Sequence, residues 1–83
     1  MDDYILLKPA VKFLEKLQYK EKIRIIEALD CLISKDKQLD IKSLKGREEY
    51  SLRVGKYRIL FREDHQNKLC VMTTIGSRGD IYK

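Results

Sequence analysis

From Tyr50 onward, apolar and polar residues alternate with a period of two. Tyr50, Leu52 and Val54 fall on one side of the run and Ser51 and Arg53 on the other; after Gly55-Lys56 the alternation resumes, with Tyr57, Ile59 and Phe61 set against Arg58, Leu60 and Arg62. That spacing belongs to strands with one buried face, and a Gly-X pair between two such runs favours a two-residue hairpin turn. The pattern predicts a β-hairpin. Upstream the period lengthens to that of a helix: Ala10, Phe13, Leu14 and Leu17 lie at i, i+3, i+4 and i+7, as do Ile25, Ala28, Leu29 and Leu32, with Ile33 at i+8. One helix is expected from Lys8-Pro9, where proline suits the first turn, to about Gln18, and a second from about Lys20 to Ser34. Ile23 and Ile26 widen the second apolar stripe, which serves packing or a partner surface.

The remaining segments complete an α+β arrangement. Tyr4-Ile5-Leu6-Leu7 is a short apolar run of strand type, and Lys68 to Ile75 is a near-continuous apolar strand of the kind buried in a sheet interior. Lys35 to Lys42 is polar apart from Leu39 and Ile41 and is expected to be a connector, with a turn at Gly46. Glu63 to Asn67 is a polar loop holding the only histidine, His65, which is expected to be exposed and not catalytic. Two glycines, Gly76 and Gly79, end the last strand and place Arg78 on a loop.

The predicted turn also sets a register. Pairing Val54 with Tyr57 puts Arg53 opposite Arg58, on the face away from Leu52, Ile59 and Phe61. Like charges opposite one another are destabilising in a sheet, so the pair is either screened by solvent on an outer face or bridged by an anion.

Composition narrows the classes. The chain has 83 residues, 43% of them hydrophobic and 37% charged, with a net charge of +5. That suits one compact basic domain, residues 1–83, large enough to fold without disulfides or metals. No apolar run reaches membrane-spanning length and Met1-Asp2-Asp3 lacks the basic start of a signal peptide, so no membrane association is expected and the cytoplasm is the expected compartment. Cys31 and Cys70 have neither C-x-x-C spacing nor a histidine companion and are read as buried thiols. No carboxylate or histidine cluster has ligand spacing, so neither metal nor cofactor is expected. The positive charge is uneven: residues 1–43 carry nine basic against eight acidic residues, and 44–83 carry nine against five. Arg47, Arg53, Arg58, Arg62 and Arg78 all lie in the second part, and arginine's planar fork matches phosphate. An anion site is therefore expected toward the carboxy terminus.

Leu44-Lys45-Gly46, the hairpin from Tyr50 to Phe61 and the Ile75-Gly76-Ser77-Arg78-Gly79-Asp80-Ile81-Tyr82 pattern resemble the RelE/ParE toxin superfamily of type II toxin-antitoxin systems, over essentially the whole chain. The resemblance implies a βααβββ fold: an N-terminal strand, a helical hairpin packed on one face of a small antiparallel sheet, and an open second face that carries function. RelE-like members cleave messenger RNA in the ribosomal decoding site; ParE-like members lack the nuclease residues and inhibit DNA gyrase. The reading adopted is the RelE-like one, a ribosome-dependent mRNA endoribonuclease that stops translation and growth; the alternative is a ParE-like, non-enzymatic gyrase inhibitor. A cognate antitoxin is implied in either case, and its contacts are expected to use an acidic or amphipathic segment.

Cleavage requires the ribose 2′-hydroxyl to lose a proton, the phosphorane to be stabilised and the leaving 5′-oxygen to be protonated. Carried over one residue at a time, the resemblance assigns Arg53, Arg58 and Arg78 to the scissile phosphate, with Arg78 also a candidate for stabilising or protonating the leaving oxygen. Tyr82 is assigned to stacking on a base or orienting the 2′-hydroxyl, its alternative being to cover the sheet edge. Lys45, Ser51, Lys56 and Arg62 are secondary substrate-binding candidates. Ser51 is the departure, because RelE-type nucleases often have a lysine there that could serve as a base. Arginine is a poor substitute because it stays charged, and neither Lys45, before the strand, nor Lys56, at the turn, has a clear claim. No proton acceptor is identified.

Overall fold

The computed structural model describes residues 3–34, 39–44 and 48–77. Its elements in chain order are β1 (Asp3–Leu6), α1 (Lys8–Glu15), α2 (Tyr19–Ser34), β2 (Asp40–Ser43), β3 (Tyr50–Val54), β4 (Tyr57–Asp64) and β5 (Leu69–Ser77). The strands form one five-stranded sheet in the order β1-β5-β4-β3-β2. The α+β class, the initial strand, the helix pair and the meander agree with the sequence pattern.

Two strands outrun their expected ends, because pairing continues past the apolar run: β4 takes in Glu63 and Asp64, expected as loop, and β5 takes in Gly76 and Ser77, where the glycine was expected to end it. Two larger features of the sheet also differ from expectation. Asp40–Ser43, within the segment read as a connector, is a strand paired antiparallel with β3. It is only four residues long, on the edge, and exposed throughout, so it has no apolar run by which to be seen. The sheet is also mixed, because β1 joins β5 in parallel, with Tyr4 opposite Cys70 and Leu6 opposite Met72. Counting reversals explains the direction. Three antiparallel pairings separate β2 from β5, and the out-and-back helix pair starts β2 from the end of the sheet where β1 finished, so β1 and β5 run the same way.

The helices cover one face. Ala10 of α1 and Ile25 and Leu29 of α2 are fully buried against Leu52, Tyr57, Ile59, Phe61, Cys70, Met72 and Ile75, and Phe13, Leu14, Leu17, Ala28, Leu32 and Ile33 pack around them. These are the predicted helical stripes. Burying one such aliphatic side chain contributes roughly 1.5–3 kcal/mol. Phe13 meets Tyr57 edge to face at 5.9 Å, and Tyr50 stacks on its cross-strand partner Phe61 at 5.4 Å. α1 stops at Glu15, a few residues short of the expected Gln18, and α2 begins at Tyr19.

An irregularity between β4 and β5 keeps the core in phase. Leu60 pairs with Thr74 but Phe61 pairs with Met72, so Thr73 is an extra residue. Its hydroxyl lies 3.2 Å from both the Leu60 carbonyl and a Glu49 carboxylate oxygen, which holds the bulge. The bulge moves Ile75 onto the face already used by Cys70 and Met72, where strict alternation would have placed Thr74.

Candidate functional site

The Gly55-Lys56 turn closes the hairpin with Gly55 at φ +59°, a conformation disfavoured for residues with a Cβ. It sets the register that the alternation predicted: Val54 faces Tyr57 and Arg53 faces Arg58. β2 extends the row, with Asp40 opposite Arg53, and β5 continues it past Arg58 to Gly76. The neighbouring row on the same face is Lys42, Ser51, Leu60 and Thr74. Asp40, Lys42, Ser51, Arg53 and Arg58 thus converge from three strands on one small depression of about 10 Å³, room for about one water-sized group.

Burial differs among the five. Ser51 is buried and Arg58 half-buried, whereas Arg53, Lys42 and Asp40 are exposed. Arg58 Nη1 donates a long hydrogen bond of 3.5 Å to Ser51 Oγ. Arg53 Nη1 lies 3.8 Å from Asp40 Oδ2, an ion pair looser than a direct charge-assisted hydrogen bond. Among the described residues that line the depression, three cations stand against one carboxylate, and the fork of a guanidinium group suits an oxyanion.

The other sequence-predicted residues lie elsewhere. Lys56 sits on the turn with its ammonium 5.6 Å from the centre of the Tyr57 ring, away from the arginine pair. Arg62 is exposed farther along β4 and lines a separate depression of about 430 Å³ with Glu48, Tyr50, Glu63 and His65. His65 is exposed in the β4–β5 turn, as expected. In that turn Asp64 accepts hydrogen bonds from the Asn67 backbone and side chain, which hold its carboxyl below the usual carboxylate range. Lys45, Arg78 and Tyr82 lie outside the described residues.

Sequence reasoning missed Lys42 and Asp40. The available signal was the i, i+2 spacing of Asp40 and Lys42 around Ile41, too short to separate from a polar connector. Pairing with β3 gives that spacing its meaning, since it sets the lysine opposite Ser51 and the aspartate opposite Arg53.

No protein-family model and no curated protein matches the sequence. Solved structures do match. The isolated RelE toxin of E. coli superposes with a TM-score of 0.77 at 16% identity, covering 99% of this chain and 92% of that one. This chain has the RelE fold. RelE-fold relatives include the archaeal RelE–RelB complex from Pyrococcus horikoshii, with a TM-score of 0.76 at 24% identity over 94% of both chains. The RelB–RelE antitoxin–toxin complex from Methanococcus jannaschii matches with a TM-score of 0.69 at 28% identity, again over 94% of both chains. The N-terminal strand, helix pair and sheet are all within the RelE-fold match. Among the described residues no helix is long and apolar enough to cross a membrane.

Proposed function

We propose that this protein is the toxin of a type II toxin-antitoxin system and acts as a ribosome-dependent endoribonuclease on messenger RNA. The observation that carries the reading is the Arg53–Arg58 pair, held face to face on the side of the sheet that the helices leave open, with Lys42 and Ser51 beside it. Like charges opposite one another in a ladder are unfavourable, and an RNA phosphate between the two guanidinium groups would favour the pairing. As the 2′-oxygen attacks and charge grows on the non-bridging oxygens, the same two forks strengthen their hold, which is where catalytic stabilisation is most effective.

The described lining of the depression, Asp40, Lys42, Ser51, Arg53 and Arg58, is polar and charged and includes no aromatic ring for a base to stack on. Such a surface stabilises a reacting group and leaves alignment of the RNA to whatever holds the strand, and on the ribosome the decoding site does so. Arg78 and Tyr82 keep the roles that the RelE resemblance implies, Arg78 at the leaving oxygen and Tyr82 on a base.

The gyrase alternative drew its support from Ser51, where an amine is missing. Lys42 stands across the ladder from Ser51 and lines the same depression, so the site keeps, from another strand, a lysine cation for the phosphate. This favours the nuclease. The partner of the free toxin is a cognate antitoxin, by analogy with the RelE–RelB complexes, and the net charge of +5 suits a partner segment of negative charge.

The deciding experiment adds purified protein to a cell-free translation reaction and maps new messenger RNA 5′ ends by primer extension, with ribosome-free RNA as control. Cleavage within codons only when ribosomes are present is expected. Intact RNA with normal translation, together with inhibited supercoiling by purified gyrase, would replace this reading with the ParE-like one.

A further inference from the structure

Asp40 is the one group in the depression that phosphate binding does not explain. Lys42, Arg53 and Arg58 attract an anion and the Ser51 hydroxyl can donate to one, but a carboxylate in the same place repels it. The reaction, however, also needs a proton acceptor. Arginine stays charged, a lysine must first lose a proton before it can accept one, and a serine hydroxyl is a weak base; a carboxylate accepts a proton as it stands. Among the described residues that line the depression, Asp40 alone presents a carboxylate.

We propose that Asp40 is the general base of the cleavage reaction, an assignment that rests on the ribonuclease reading above. The geometry is a row across three strands: Asp40 on β2, Arg53 on β3 and Arg58 on β4 are consecutive cross-strand partners on one face. Neighbouring strands lie about 4.8 Å apart. A phosphate lodged between Arg53 and Arg58 therefore has its adjoining ribose within reach of a carboxylate one strand farther out. The ion pair with Arg53 orients that carboxylate without locking it, because 3.8 Å is too long for a bidentate clamp and Asp40 is half-exposed.

The step balances without a further reactant. The Asp40 carboxylate takes the proton of the 2′-hydroxyl as the 2′-oxygen forms a bond to the adjacent phosphorus. The bond from phosphorus to the 5′-oxygen breaks, the 5′-oxygen leaves with a proton from water, and a 2′,3′-cyclic phosphate remains. Asp40 then returns its proton to solvent, to which it is open.

The test compares the unsubstituted protein with D40N and D40E in single-turnover cleavage of ribosome-bound messenger RNA, with ribosome binding measured in parallel. D40N is isosteric and lies on an exposed edge strand, so it keeps the fold. Its cleavage rate is expected to fall by about 10²-fold or more, the usual contribution of a positioned base, with binding unchanged. D40E, with a carboxylate on a longer stem, is expected to recover part of the loss. The residual D40N rate, left to hydroxide, is expected to rise about tenfold per pH unit near neutrality, while the unsubstituted protein rises less steeply. D40N cleaving at the original rate would overturn the assignment, as would loss of binding in step with cleavage, which would make Asp40 a binding residue. No cleavage by the unsubstituted protein on ribosomes would instead overturn the ribonuclease reading, and the role of Asp40 with it.

Discussion

Arg58 combines a half-buried position with a charge that faces another arginine, and this makes it the most demanding residue of the open face. Its stem is held in the sheet and its fork reaches Ser51, which places the guanidinium group in the absence of any ligand. Arg58→Ala is expected to reduce ribosome-dependent cleavage by about 10²–10³-fold, the cost of removing one preorganised oxyanion donor. Arg58→Lys is expected to recover little of it, because an ammonium lacks the planar fork; single-turnover cleavage assays measure both. On the helix face, burial raises the pKa of the Tyr4 hydroxyl, helped by the negative charge of Asp30 and Asp3 and by the hydrogen bond it donates to Asp30. A folded-state pKa above the unfolded one stabilises the protein while tyrosine is neutral, and this contribution is lost as pH rises from about 10 through the folded value. Urea unfolding across the alkaline range is expected to show a steeper fall in stability for the unsubstituted protein than for Tyr4→Phe.

At the scale of elements, the turn and register of the hairpin formed by β3 and β4 were legible because three signals agree on them, although β4 runs on through Glu63 and Asp64, whose polar side chains read as loop. The three signals are the alternation, the Gly55-Lys56 turn and the apolar cross-strand pairs Leu52–Ile59 and Tyr50–Phe61. Gly55 is the point on which the register turns, with its φ of +59°. Gly55→Ala is expected to cost about 1–2 kcal/mol in urea unfolding, the penalty for an L-residue in left-handed backbone. Gly55→Asn should cost less, since asparagine tolerates that region. A Cβ at Gly55 would come 3.4 Å from the Arg24 guanidinium, the movable end of a long side chain, so the loss is one of backbone conformation and not of packing. β2 and the bulge at Thr73 were not legible. An edge strand of four exposed residues gains its hydrogen bonds from β3 and has no apolar pattern of its own. The bulge leaves only a broken alternation, Met72-Thr73-Thr74-Ile75, whose meaning depends on its pairing with Leu60 and Phe61.

Across the whole molecule, the sheet divides the work between a face that supplies stability and one that supplies charge. Ile59 is fully buried under the helices one residue from Arg58, so the two can be separated by experiment. Ile59→Ala is expected to cost roughly 2–5 kcal/mol in global unfolding. At 4 °C or more of melting temperature per kcal/mol for a chain of this size, a thermal scan would register a drop of at least about 8 °C. Cleavage per folded molecule at low temperature is expected to change far less than with Arg58→Ala. The sequence by itself determined the class of fold, the two helical stripes, the hairpin register and the facing arginines, because each follows from spacing within a few residues. Tertiary structure alone decided that Asp40 and Lys42 join them. Their partners, Arg53 and Ser51, are well separated along the chain, and two short polar residues acquire a common face only when an edge strand pairs with the hairpin. The parallel seating of β1 on β5 has the same origin: strand direction is settled by how many times the chain reverses between the two, a property of the path that no local pattern encodes.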